Sequence, residues 1–307
     1  MSRVLITGAE GFTGRYLAAE LAAQGHEVHG LVMRAPDDRP AQASTALAAT
    51  PLAATHVCDL LDAEQLSAVV ADVQPDKVAH LAAIAFVGHG DVEAFYRVNI
   101  VGTRHLLAAL AGAAVAPSAV LLASSANIYG NAAEGVIDES VQPAPANDYA
   151  VSKLAMEYMA KTWADRLPLT LVRPFNYTGV GQSEDFLLPK IVAHFRRRAA
   201  VIELGNLDVE RDFADVRTVA QVYRRLLEGN TAHQTLNVCS GRGHTLRGVL
   251  DLVGDLAGYR PEIRVNPAFV RANEVRRLLG SKAALERCIG AVEGPSLKDT
   301  LPWILAA

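Results

Sequence analysis

The first half of the chain alternates apolar runs with amphipathic segments in a pattern typical of strands separated by helices. The segment "RVLITG" is a short β-branched run that ends in glycine, "RYLAAELAAQG" has helical spacing, and "EVHGLVM" is a second apolar run. Together they predict a βαβ unit. The alternation continues with short connections as far as "LTLVRPF". It predicts an α/β fold with a doubly wound parallel sheet covered by helices on both faces.

The pattern changes near residue 176, where a glycine-rich loop, "RPFNYTGVGQ", is followed by short strands, helices and Arg-rich irregular segments. We therefore expect two domains. Residues 1–176 form the first domain, to which some later segments return. Residues 177–307 form mainly a smaller C-terminal lobe.

Charge and composition exclude several classes of partner. The net charge is −4, and the chain therefore lacks the excess of basic residues that is typical of proteins binding nucleic acid or an anionic membrane face. The longest Ala-rich stretch contains a proline and predicts helix, turn and strand rather than a membrane span. Three scattered cysteines show no disulfide or metal-ligand spacing. We expect a cytoplasmic protein without a metal site.

Three glycines mark a candidate phosphate-binding turn. Gly8, Gly11 and Gly14 follow the first predicted strand and open the first predicted helix. Glycine permits a tight turn and close backbone approach, and the helix start offers N–H groups and a positive dipole end to a pyrophosphate. Between a strand and a helix this spacing indicates a Rossmann-type dinucleotide site. The alternative is a turn that binds nothing.

The end of the second predicted strand bears on the choice of cofactor. NAD sites usually place an acid there, but this chain has no carboxylate between that strand and Asp37, whereas Arg34 and Arg39 are present. Arginine suits a 2′-phosphate, so we expect NADP(H), with NAD(H) as a second cofactor. Arg34 as a solvated loop charge is the alternative. Asp59 is predicted either to accept from the adenine amino group or to cap the next turn.

The segment "NDYAVSK" places a phenol and an ammonium group four residues apart, on one face of a predicted helix. A carbonyl that receives a hydride must also receive a proton, and the unperturbed pKa of tyrosine is about 10. A neighbouring lysine favours the phenolate, which suits Tyr149 as acid and base with Lys153 beside it. Ser125, at the end of the strand "AVLLASS", can hold the same oxygen.

Four motifs in order resemble those of the extended short-chain dehydrogenase/reductase superfamily: the glycine triplet, "HLAA", "SSANIYG" and "YAVSK". The resemblance covers nearly the whole chain. The resemblance implies Ser125, Tyr149 and Lys153 as catalytic residues. Asn99 is expected either to orient this network or to act only structurally, and His80 to be a core imidazole rather than a base. The cofactor residues implied are Gly8, Gly11, Phe12, Gly14, Arg34, Asp59, Leu60, Leu81, Ala82, Ala83, Asn99, Tyr149 and Lys153.

The two residues after Ser125 reduce the number of reactions that fit the sequence. Dehydratases of this superfamily carry a carboxylate within the next two positions, where this chain has Ala126 and Asn127. A Cys at the first position, as in the dual epimerase/reductases, is also absent. Reduction of a 4-keto sugar and C4 epimerisation through a transient ketone remain. A residual dehydratase and a non-catalytic NADP-binding protein are further alternatives.

The second half resembles the GDP-mannose branch of the superfamily, through "RPFNYTGVGQ", "GNLDVERDFADV", "NVCSG" and "RANEVRRLLGSKAALERCIG". The resemblance implies NAD(P)H-dependent reduction of the 4-keto group of a GDP-linked deoxyhexose. Arg211 and Arg271 would clamp the diphosphate, a task that suits the guanidinium fork. The alternatives are an ion-pair cluster of Arg211 with Asp212 and Asp215, and surface charge for Arg271 and Glu274. The substrate residues implied are Ser125, Asn127, Asn176, Phe186, Lys190, Arg211, Arg271 and Glu274.

Two predicted helices, at about 93–112 and the one that carries Tyr149, have apolar stripes. In this superfamily the corresponding helices commonly pair across a two-fold axis, so we expect a homodimer. The alternative is that both stripes only cover the sheet.

Overall fold

The computed structural model describes residues 1–34, 50–87, 90–130, 135–270 and 276–307. Arg39, Arg271 and Glu274 lie outside these residues. The strands are β1 (Arg3–Thr7), β2 (Glu27–Val32), β3 (Ala54–Val57), β4 (Lys77–His80), β5 (Ala119–Ala123), β6 (Val136–Ile137), β7 (Leu169–Pro174), β8 (Asn176–Thr178), β9 (Val201–Leu204), β10 (Glu210–Asp215), β11 (Thr235–Val238), β12 (Gly243–Thr245), β13 (Glu262–Val265) and β14 (Arg277–Gly280).

The helices connect these strands in the order that the hydrophobic pattern predicts. They are α1 (Phe12–Ala23), α2 (Ala63–Val73), α3 (Val92–Tyr96), α4 (Thr103–Gly112), α5 (Asp148–Lys161), α6 (Leu187–Arg196), α7 (Val216–Glu228), α8 (Leu246–Ala257), α9 (Ala283–Ile289) and α10 (Leu297–Ala306). Within the described part of the chain, no helix has the length and hydropathy needed to cross a membrane.

A seven-stranded sheet confirms the predicted α/β fold. Its order is β11-β7-β5-β4-β1-β2-β3, and β1 pairs in parallel with both β2 and β4. Val4, Leu5 and Ile6 are consecutive in β1 and all fully buried. Successive strand residues point to opposite faces, so both faces of the sheet are covered. The strand order reverses direction between β1 and β4, the place where sheets of this type bind ligands at their carboxyl edge.

One predicted helix is interrupted in the structure. The long helix expected at about 93–112 consists of α3, a π-helical turn at Arg97–Gly102, and α4. A π turn widens the helix locally and is common at functional sites. The predicted cap at Asp62 is confirmed, since its Oδ1 accepts a hydrogen bond of 2.9 Å from the Gln65 N–H at the start of α2.

The chain divides into two compact units that alternate along the sequence. The first unit contains residues 1–125, 147–173 and 220–236, and the second contains 126–146, 174–219 and 237–307. We predicted a division after residue 176, whereas the units change at residue 173. The second unit has its own apolar core between α6, α8 and α10, and a small sheet in the order β12-β10-β14-β6, with β8 also paired to β10.

Candidate active site

The three expected catalytic residues all belong to the first unit, where β5 and α5 position them. Ser125 lies two residues past the end of β5, at the carboxyl edge of the large sheet. Tyr149 and Lys153 lie one turn apart at the start of α5. All three are buried, with exposed fractions of 5–6%. Burial restricts their rotamers and excludes bulk water, as a site for proton transfer requires.

The start of α5 is held in place by side chains on both sides of Tyr149. The Asn147 side chain accepts a hydrogen bond from the Ala150 N–H at 2.9 Å and caps the helix. The Tyr96 hydroxyl donates to Asp148 at 2.6 Å, and the Phe95 ring packs against the Tyr149 ring at 6.0 Å between centroids. These contacts tie α5 to α3 and fix the position of the phenol.

Lys153 is directed towards the strand that carries Ser125. Its ammonium group donates a hydrogen bond of 2.7 Å to the Ala123 carbonyl oxygen, the last residue of β5. Burial lowers the pKa of Lys153 to about 8, and the Glu157 charge acts in the opposite direction. The lysine therefore changes its charge close to neutral pH, in the range where it can influence a neighbouring phenol.

Asn99 connects α5 to the loop after β4. Its amide nitrogen donates to Ser152 Oγ at 3.0 Å and to the Ile84 carbonyl at 3.2 Å, and its amide oxygen accepts from the Ile84 N–H at 3.0 Å. Ser152 Oγ in turn donates to the Tyr149 carbonyl at 2.8 Å. Asn99 lies in the π-helical turn and is 1% exposed. This geometry shows a structural link between the loop and α5, while a catalytic role for Asn99 stays a prediction.

His80 has the core role that we favoured for it. Its two ring nitrogens lie 2.7 Å from Thr7 Oγ1 and 2.8 Å from Thr103 Oγ1. Burial, together with the Lys153 charge, lowers the pKa of His80 to about 3, so the imidazole is neutral. Thr7 Oγ1 also accepts from the Ala82 N–H at 3.2 Å, which ties the loop after β4 to β1.

The glycine-rich loop has the geometry of a phosphate cradle. Gly8 has a φ of +70°, and a Cβ at Gly14 would lie 2.2 Å from the Gly8 carbonyl oxygen. A Cβ at Gly8 would come within 2.9 Å of the Ala82 backbone. Helix α1 begins directly afterwards, with Gly11 at its N-cap and no side-chain cap on its first N–H groups. The loop therefore fits a dinucleotide whose pyrophosphate lies at the helix start.

Other residues follow strands at the same edge of the sheet. Ser124 Oγ is buried and has no hydrogen-bond partner among the described residues. Leu60 is buried, and Phe12 packs edge-on against Tyr16 at the start of α1. The Asp59 side chain accepts a hydrogen bond of 2.9 Å from the Leu61 N–H. This contact corresponds to the second of the two predicted roles for Asp59, the capping of the next turn. Contacts of Arg34, Leu81, Ala82 and Ala83 with a cofactor stay predictions.

The expected substrate residues that the structure describes, apart from Ser125, belong to the second unit. Strands β8 and β10 pair in parallel, and the Asn176 amide nitrogen lies 3.3 Å from the Asp212 carbonyl oxygen. Arg211, on β10, donates to the carbonyls of Glu210 and Arg276 at 2.9 and 3.2 Å. Asp215 instead forms a bidentate pair with Arg217. Asn127 lies in a 3₁₀ turn at Ala126–Tyr129.

Helix α6 places two further expected residues beside a cavity. Phe186 is the N-cap of α6, and the Lys190 ammonium lies 4.3 Å from the centroid of the Phe269 ring. Lys190 lines a cavity of about 380 Å³ together with His194, Val201, Glu203, Arg264 and Phe269. Sequence reasoning missed Glu203 and Phe269, because they lie on other elements, and the pairing of β9 with β13 that brings them beside α6 is not visible in the sequence.

Sequence reasoning also missed a buried ion pair next to Lys153. Glu157 accepts two hydrogen bonds from Arg173, at 2.9 and 2.7 Å, and both side chains are more than 90% buried. Glu157 lies one turn after Lys153 on α5, and Arg173 lies on β7. The helical spacing of Tyr149, Lys153 and Glu157 was available in the sequence, but the partner on β7 was not.

A parallel sheet with a glycine cradle at one helix start, and a buried Tyr–Lys pair at its carboxyl edge, defines a short-chain dehydrogenase/reductase of the extended type. The family model described as GDP-mannose 4,6 dehydratase matches residues 5–291, so the chain belongs to that family.

Two relatives narrow the activity within the family. The GDP-6-deoxy-D-talose 4-dehydrogenase of Aggregatibacter actinomycetemcomitans is 32% identical, over 94% of this chain and 91% of its own. The GDP-6-deoxy-D-mannose reductase of Pseudomonas aeruginosa is 34% identical, over 99% of this chain and 96% of its own. Both are oxidoreductases of GDP-linked deoxyhexoses, as we expected for this chain.

Solved structures show the same fold along the whole chain. A structure of RMD from Pseudomonas aeruginosa complexed with NADPH is 32% identical, has a TM-score of 0.83, and the match covers 100% of this chain and 98% of that one. A crystal structure from Burkholderia cenocepacia J2315, provisionally described as an epimerase, is 53% identical with a TM-score of 0.90, and the match covers 99% and 97%.

Proposed function

We propose that the protein reduces the 4-keto group of a GDP-4-keto-6-deoxyhexose with NADPH, and also with NADH. The observation that carries this proposal is the buried set of Ser125, Tyr149 and Lys153, followed by Ala126 and Asn127 where a dehydratase has a carboxylate. Neither alanine nor asparagine can move a proton at neutral pH. The names of the two relatives support the GDP-linked deoxyhexose as the substrate class.

Each residue of the set has a separate task in the reduction. A dihydronicotinamide cofactor, held at the glycine turn, would supply the hydride that the carbonyl carbon receives. The Tyr149 hydroxyl donates its proton to the carbonyl oxygen, and Ser125 donates a hydrogen bond to the same oxygen. The Lys153 ammonium stabilises the phenolate that Tyr149 becomes. Asn99 and Ser152 hold the first turn of α5, and so the phenol, in the position that this transfer requires.

The first experiment follows the consumption of NADPH by absorbance with GDP-4-keto-6-deoxymannose as substrate. Oxidation of the cofactor in step with loss of the keto sugar supports the proposal. If no cofactor is consumed and the protein instead interconverts UDP-galactose and UDP-glucose, the protein is an epimerase and the proposal is wrong. NMR of the product distinguishes 6-deoxy-D-mannose, which is D-rhamnose, from its C4 epimer 6-deoxy-D-talose; the relatives' names contain 6-deoxy-D-mannose and 6-deoxy-D-talose.

We propose that the cavity beside α6 receives the guanine base. Glu203 offers a carboxylate to the ring N–H and amino group of guanine, Lys190 offers donors to its carbonyl oxygen, and Phe269 offers an aromatic surface. Uracil lacks the exocyclic amino group. Glu203→Gln should therefore weaken inhibition by GDP about tenfold and change inhibition by UDP little, because it removes a charge-assisted hydrogen bond. Glu286→Gln, on α9 of the same unit and outside the cavity lining, is the matched control. Equal losses for both nucleotides would contradict this assignment.

We also propose a homodimer formed through α5. Val151 and Tyr158 are exposed apolar residues seven positions apart, which places them on one face of this helix, and Tyr158 is 62% exposed. A buried charge at this face would oppose pairing. Sedimentation analysis should therefore find a dimer for the natural chain and for Tyr158→Phe, and a monomer for Tyr158→Glu. A natural chain that sediments as a monomer would exclude the dimer.

A further inference from the structure

The glycine-rich loop brings a carboxylate to the end of β2. Glu10 Oε1 accepts a hydrogen bond of 3.1 Å from the N–H of Met33, the first residue after β2. The loop is held against the same strand by the Gly8 N–H, which donates to the Leu31 carbonyl at 2.9 Å. Glu10 thus lies where β2 ends, although it comes from the connection after β1.

The carboxyl end of β2 is where this type of fold distinguishes the two nicotinamide dinucleotides. A carboxylate there accepts hydrogen bonds from the ribose hydroxyls of the adenosine in NAD, and an arginine nearby accommodates the 2′-phosphate of NADP. The sequence suggested that only the arginine was present, because no acid follows β2 before Asp37. In the structure an acid from elsewhere in the chain, Glu10, lies at this place. It accepts its hydrogen bond from Met33, the residue before Arg34.

We propose that Glu10 is the residue that keeps NADH usable in this protein. Its carboxylate takes the place of the acid missing from the end of β2, binds the ribose 2′-hydroxyl, and repels a 2′-phosphate that Arg34 attracts. The balance of these two opposite charges sets the preference between the cofactors. This inference rests on the proposed function only in requiring that the chain binds a nicotinamide dinucleotide.

The alternative is that Glu10 only supports the loop through its bond to the Met33 N–H. Glutamine separates the two roles, because Glu10→Gln keeps an oxygen that accepts this bond and removes only the charge. Glu10→Ser removes the charge together with most of the side chain, and serves as a second variant if the first does not fold. Arg34→Gln removes the opposing charge.

The test measures the dissociation constants of NADPH and NADH by fluorescence titration, without any sugar nucleotide. We expect Glu10→Gln to shift the ratio of the two constants about tenfold towards NADPH, and Arg34→Gln to shift it in the opposite direction. Glu27→Gln, at the other end of β2, is the matched control and should leave the ratio unchanged.

Two results would overturn the proposal. If Glu10→Gln and Glu10→Ser bind both dinucleotides with the natural ratio, Glu10 is a structural residue and the proposed reductase activity is unaffected. If the natural chain binds neither dinucleotide, the proposed function fails as well. A ratio that moves towards NADH on removal of the Glu10 charge would also contradict the repulsion that we infer.

Discussion

The two compact units differ in how deeply their candidate functional residues are buried. In the first unit Asn99, His80 and Lys153 are buried, and each makes hydrogen bonds to a neighbouring strand or loop. In the second unit Arg211 and Phe186 are partly exposed and lie at the edges of short elements. Lys153, one of the groups proposed for proton transfer, is therefore buried and hydrogen-bonded. Arg211 and Phe186, two of the groups proposed to bind the sugar nucleotide, are more accessible to solvent.

The largest expected effect on activity comes from removing the hydroxyl of Tyr149, in the first unit. Tyr149→Phe removes the proton donor and should lower kcat about 10³-fold, within the usual range for general acid catalysis. Tyr158→Phe, an exposed tyrosine on the same helix, is the control. A fully active Tyr149→Phe variant would remove the basis of the proposed mechanism.

The buried pair next to Lys153 should be the most sensitive point for stability. Glu157→Gln leaves the Arg173 guanidinium buried without a compensating charge, and should lower the free energy of unfolding by about 3–5 kcal/mol. Urea denaturation measures this change. The matched control is Glu184→Gln, which breaks the exposed pair with Arg197 in the second unit and should have no measurable effect. Equal losses for both variants would show that the two units do not differ as we describe.

The dependence of the reduction on pH should follow Lys153. Burial lowers the pKa of this lysine to about 8, so its ammonium charge is lost as the pH rises through that value. The Tyr149 phenolate then loses its stabilising neighbour, and kcat should fall about tenfold or more on the alkaline side. His80 remains neutral across this range because its pKa is about 3. A pH profile of kcat that stays flat well above pH 8 would contradict this assignment.

The smallest expected effect on the reaction comes from replacing a residue of the second unit, Arg211. Arg211→Gln removes a guanidinium that we predict contacts the diphosphate, and should raise KM for the sugar nucleotide about tenfold with little change in kcat. Arg242→Gln, an exposed arginine of the same unit, is the control. If Arg211→Gln instead lowers kcat at unchanged KM, the separation of chemistry and binding between the units is wrong.

Features that depend on neighbouring residues could be predicted from the sequence. The spacing of Tyr149 and Lys153, the glycine turn and the Asp62 cap each depend on a short run of positions: 149–153, 8–14 and 62–65. The alternation of strands and helices follows from the same local periodicity. A single helical stripe did not reveal the π turn around Asn99, because its apolar spacing resembles that of an ordinary helix.

The sequence by itself therefore determined the strand and helix pattern, the phosphate turn and the position of the phenol beside the lysine. Only the tertiary structure decided which distant residues meet: Arg173 with Glu157, Phe269 with Lys190, and Glu10 with the end of β2. The reason is physical. Local geometry depends on bonded neighbours, whereas contacts across strands depend on the order and register in which the sheet packs, and one-dimensional patterns leave these open.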